Sequence, residues 1–72
     1  MIRVAIAGAA GRMGRTLVEA VSRSDADIKV TVATVLEDDP CLNVDCGLLA
    51  MGVANGVETN SDLTAHVNDF DV

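Results

Sequence analysis

The sequence predicts an α/β fold built on a doubly wound parallel sheet, on three observations. An apolar run, IRVAIA at residues 2–7, is followed at once by glycines at positions 8, 11 and 14. A stretch with helical spacing starts at Arg12, and a second β-branched run, IKVTVATVL, occupies residues 28–36. Strand, helix and strand within about 35 residues form a βαβ unit, whose crossover is right-handed almost without exception.

Each element follows from its residues. Residues 2–7 are nearly all apolar, as expected of a parallel strand covered on both faces. In the helix, Met13, Leu17, Ala20 and Val21 share one side, predicted to be the buried one, while Arg15, Glu19 and Ser22 face away. Ser24-Asp25-Ala26-Asp27 ends that helix with turn formers. Val, Ile and Thr mark residues 28–36 as the second strand. Glu37 to Pro40 is a loop by its charge and its proline. Beyond it the pattern predicts a short helix within 44–50 and a short strand within 56–59. Asn60 or Ser61 is expected to cap a helix over about 62–68 with Leu63 and Val67 on one face. Phe70-Asp71-Val72 reads as the start of a further strand. The chain stops there with a strand only begun, so the 72 residues read as part of a larger unit rather than a small complete domain.

Composition narrows the function. The net charge is −6, against general binding to nucleic acid or anionic membranes. The charge is sorted, however. All five cations fall in residues 1–29, which net +2, while residues 30–72 hold eight acids, no cation and a net −8. Cys41, Cys46 and the lone His66 do not make a disulfide framework or a four-ligand zinc site. Reduced thiols, no targeting segment and no membrane span describe a soluble, cytoplasmic chain.

The run Gly8-Ala9-Ala10-Gly11-Arg12-Met13-Gly14 carries the chemistry. Between a strand and a helix, such a loop brings the backbone close to a ligand. It also leaves several N–H groups free at the positive end of the helix dipole, which suits a pyrophosphate. Gly8 makes the sharp turn, Gly11 lets the phosphates approach, and Gly14 allows close packing of the helix. Arg12, just after the second glycine, is expected to reach the phosphates or the adenosine ribose; Arg15 reads as an ordinary helix cation. A dinucleotide site also uses an acid about 20 residues further on to accept ribose hydroxyls. Glu37 stands 23 positions after Gly14. The competing readings are a ligand-free strand–helix connection for the loop and a solvated loop acid for Glu37. A metal site at Glu37, Asp38 and Asp39 is the weaker reading, because consecutive loop acids rarely converge on one ion. The expected cofactor-binding set is Gly8, Ala9, Ala10, Gly11, Arg12, Met13 and Glu37, with no catalytic and no metal-binding residue. The fold is thus read as an incomplete Rossmann-type sheet, the N-terminal portion of a dinucleotide-binding domain.

The stretch Val4 to Arg15, with its Gly-Arg-Met-Gly core, resembles the N-terminal signature of the 4-hydroxy-tetrahydrodipicolinate reductase (dihydrodipicolinate reductase) family. The likeness continues through Leu36-Glu37, the loop with Asp45 and Gly47, and Asp69-Phe70-Asp71-Val72. It implies a pyridine-nucleotide reductase of lysine and diaminopimelate synthesis, with NADH or NADPH as cofactor and hydride transfer to a cyclic imine-type substrate. Family members often carry a basic residue just after the strand-two acid, where it meets a 2′-phosphate. Here Asp38 follows Glu37, so NADH is expected to be preferred. The resemblance also implies a downstream substrate domain with paired histidines and a lysine, none of which this chain contains. Residues 1–72 are therefore read as the N-terminal part of the NAD(P)-binding domain. Turnover by this piece alone is not expected, and homo-oligomers are expected only of the full-length protein. Two other readings remain at this stage: a stand-alone nucleotide-binding or interaction module, and the start of another Rossmann dehydrogenase acting on an amino-acid-derived substrate.

Overall fold

A computed structural model describes residues 1–72. The first apolar run forms β1 (Ile2–Ala7), the helical stretch α1 (Arg12–Arg23) and the second apolar run β2 (Ile28–Thr34). They are followed by α2 (Cys46–Met51), a two-residue strand β3 (Thr59–Asn60) and a single 3-10 turn at Thr64–His66. The three strands are parallel in the order β1-β2-β3. This is the α/β architecture expected from the sequence.

The register of β1 on β2 shifts between Val4 and Ala5. Val4 lies opposite Val30 and Ala5 opposite Val32, so Thr31 bulges out of the pairing. The bulge lets Val30 and Ala33 both join the core, although they are three residues apart. That core holds Ile6, Ala9, Val18, Val30, Ala33 and Cys46, with Val4, Val21, Ala50 and Val57 packed around it. Helices α1 and α2 pack on each other. Strand β1 is less covered than expected, since Ile6 is its only fully buried residue and Ile2 and Ala7 are exposed.

The phase of α1 differs from expectation. Its buried side carries Gly14, Val18 and Val21, one residue round from the predicted face. Met13 is 74% exposed and Leu17 is 44% exposed. The reason lies at the helix start, where Gly14 is pressed against the glycine loop. A Cβ built there would lie 2.1 Å from the Gly8 carbonyl oxygen and 2.8 Å from Ala9 Cα.

Helix α2 starts at Cys46 rather than at 44 because Asp45 caps it, accepting from the amides of Gly47 and Leu48. It ends at Gly52 in the left-handed region, φ 74°. The expected helix over 62–68 is instead the three-residue turn Thr64–His66. Neither Asn60 nor Ser61 caps it. Asn60 donates its side-chain amide to the Ala33 carbonyl and accepts from the Asp62 amide, while Asp62 takes the amide of Ala65 and the hydroxyl of Thr64.

The last residues run beside the free edge of β1. Ala5 N donates to Val72 O at 2.7 Å, and the amides of Asp71 and Val72 donate to Arg3 O at 2.8 and 3.1 Å. The Arg3 guanidinium adds bonds to the Asp71 carboxylate and to Asn68 O. The order across the sheet is therefore β3, β2, β1 and then residues 71–72. Residues 71–72 thus lie on the side of β1 away from β2 without forming a strand, and the carboxyl ends of β1 and β2 are where an open α/β sheet forms its ligand crevice.

Candidate functional site

At the carboxyl end of β1 the chain passes into the glycine loop. Gly8 adopts φ 72°, a left-handed conformation that glycine reaches without steric cost. Ala9 then turns inward. It is fully buried in the core, and its amide donates to Thr34 O at 2.9 Å, tying the loop to the end of β2. Ala9 was expected against the ligand; with its side chain and amide both engaged, it supports the loop from beneath. Gly11 N closes the turn on Gly8 O at 3.1 Å, and Gly11 stands at the N-cap of α1 with no side chain capping the helix.

The three glycines are required for different reasons. Gly8 is set by its backbone angle and Gly14 by backbone contact. Gly11 is set by neither: its φ is −76°, and an added Cβ would meet only Gly8 O at 3.4 Å, an ordinary contact. Within this chain Gly11 is open on its outer side.

The first helical amide bonded within this region is Arg15 N, which donates to Gly11 O at 2.9 Å. The amides of Arg12, Met13 and Gly14 precede it, in the first turn where helices lack internal acceptors. They sit at the positive end of a 12-residue helix with no acidic residue in its first turn. Arg12 and Met13 are both exposed, and Arg12 forms no ion pair. Arg15, which the sequence reads as an ordinary helix cation, has a partner in the loop. Its Nε donates to Ala10 O at 2.8 Å, a contact that a hydropathy pattern does not reveal.

Glu37 lies in an exposed turn just past β2, closed by a bond from Asp39 N to Leu36 O at 3.0 Å. Loop and acid thus leave the same ends of neighbouring parallel strands, joined by the Ala9–Thr34 bond. Asp38 is exposed beside Glu37. No three His, Cys, Asp or Glu side chains gather as a metal cluster, both cysteines are free thiols, and no helix is long and apolar enough to cross a membrane.

Residues 2–72 match the family described as dihydrodipicolinate reductase, N-terminus. The chain is also similar to a 4-hydroxy-tetrahydrodipicolinate reductase of Saccharophagus degradans, with 44% identity over 70 residues. That alignment covers 97% of this chain and 26% of the relative, so the chain spans about a quarter of the length of the curated protein it matches.

Proposed function

The chain belongs to the dihydrodipicolinate reductase family through the N-terminal region of that family, and from this membership we propose that it is the cofactor-binding segment of a reductase acting on 4-hydroxy-tetrahydrodipicolinate. The observation that carries the reading is Gly11, a glycine that its own chain does not require, beside free first-turn amides. A pyrophosphate is the group that such a positively polarised backbone accepts.

In this reading Gly8, Ala10, Gly11, Arg12 and Met13 border the pyrophosphate, and Ala9 fixes the loop to β2. Glu37 accepts the adenosine ribose hydroxyls. NADH or NADPH, when bound, supplies a hydride; this chain's residues bind and orient it. Asp38 beside Glu37 repels a 2′-phosphate, so NADH is preferred over NADPH. No residue of the chain is assigned to proton donation or to holding the substrate carboxylates. The rest of the reductase, including the parts that assemble into an oligomer, supplies those functions, and the 72-residue chain binds the dinucleotide without turnover. The setting is the cytoplasm, and the reading assigns no membrane or nucleic-acid partner.

Titration of the wild-type chain with NADH and NADPH, beside Gly11→Val and Glu37→Ala, tests the reading. NADH is expected to bind more tightly than NADPH, and each substitution is expected to weaken NADH. Equal binding by all three proteins would overturn the loop assignment. Equal affinity for NADH and NADPH at low salt would overturn the cofactor preference alone.

A further inference from the structure

Arg15 lies one turn inside α1, where Glu19, four residues on, is placed to pair with it. Glu19 instead pairs with Arg23, at 3.4 Å, and Arg15 enters no ion pair. Its Nε reaches back to the Ala10 carbonyl at 2.8 Å. The same peptide unit is held at its other end, where Gly11 N donates to Gly8 O at 3.1 Å. The Ala10–Gly11 peptide is therefore pinned at both its oxygen and its nitrogen, in the middle of the glycine loop. Ala10 O is also the carbonyl that Gly14 N would meet if the helix continued backward by one residue. The guanidinium, and not the Gly14 amide, is the donor on that oxygen.

We propose that Arg15 is a positioning residue of the dinucleotide loop, holding the Ala10–Gly11 peptide so that a pyrophosphate meets the first-turn amides of Arg12, Met13 and Gly14 and not the Ala10 carbonyl. The proposal rests on the dinucleotide reading above. A carbonyl released from Arg15 and turned toward the anion would place a partial negative charge against it. The guanidinium prevents this while adding a positive charge close by.

The test uses NADH, ADP and adenosine as probes of the wild-type chain and of Arg15→Met and Arg15→Lys, with the Gly11 amide resonance as a report on the peptide. Arg15→Met is expected to weaken NADH and ADP by about tenfold, the scale of a lost charge-assisted hydrogen bond, and to leave adenosine unchanged. Its deficit is expected to persist at high salt, and the Gly11 amide resonance to move. Arg15→Lys, which keeps a donor and the charge, is expected to recover part of the affinity and part of the resonance position. Wild-type ADP affinity in Arg15→Met overturns the proposal alone. So does a loss shared equally by adenosine, or a deficit that salt abolishes, which would assign Arg15 a bulk-charge role. Failure of the wild-type chain to bind NADH overturns the dinucleotide reading and this proposal together.

Discussion

Asp45 collects the amides of Gly47, Leu48 and Asn55 on Oδ1 and that of Gly56 on Oδ2, at 2.8 to 3.1 Å. One carboxylate thus joins the start of α2 to the turn that follows it. Desolvation pushes this group upward, but the four amides together outweigh it and hold Asp45 below the usual 3.8. Its folded-state value lies under the unfolded one, so its stabilisation is present above the ordinary carboxylate range and is lost as pH falls through the folded value. Asp71, lowered chiefly by the Arg3 side chain, and Asp62, lowered chiefly by the Thr64 hydroxyl, act with the same sign. Circular dichroism during acid titration should show unfolding below about pH 4. Asp45→Asn should be less stable than wild type at neutral pH and depend less on acid. Gly14→Ala is expected to lose about 1–3 kcal/mol to overpacking, because the clashing Gly8 oxygen is backbone and has little room to yield. Gly11→Ala, with only an ordinary contact to accommodate, should melt near wild type and show its defect in NADH binding.

At the scale of the element, β1, α1 and β2 were legible because apolar, β-branched runs and a 3.6-residue period survive in residues 2–34. The phase of α1 was not, because hydropathy gives glycine little weight and Gly14 is the residue that presses inward. Thermal melts should reflect the true phase. Val18→Ala, at a fully buried position, is expected to cost about 1–3 kcal/mol, and Met13→Ala less than about 0.5 kcal/mol. The tail was misread for a related reason: Asn60 has the right chemistry for a cap, but its side chain is committed to β2 through Ala33 O. The strand–turn–helix connection at Gly8 to Gly14 and the turn after β2 that holds Glu37 were readable from spacing. Arg15 was not, since its contact depends on where a carbonyl points.

In the whole molecule, 11 of 72 residues are buried, while Met13, Leu36, Val53 and Val72 are each more than 60% exposed. So much uncovered apolar surface predicts self-association of the isolated chain, and sedimentation velocity should show a concentration-dependent mass that Met13→Gln with Leu17→Gln reduces. Residues 68–72 are held by Arg3 through Asp71 and Asn68, together with bonds from Ala5 N to Val72 O and from the Thr31 hydroxyl to Asp69 O. Arg3→Ala should speed hydrogen exchange at Ala5 and Val72 while leaving Val18 protected. The charge asymmetry also has a place in the fold: the acidic remainder begins beyond β2, and the unpaired Arg12 and Arg15 stand at the loop. Finally, where α1 meets that loop, backbone touches backbone at Gly14 and Gly8, with no side chain between them to swing. The loop's conformational entropy is therefore surrendered when the chain folds, and a ligand arriving later finds little disorder left to remove.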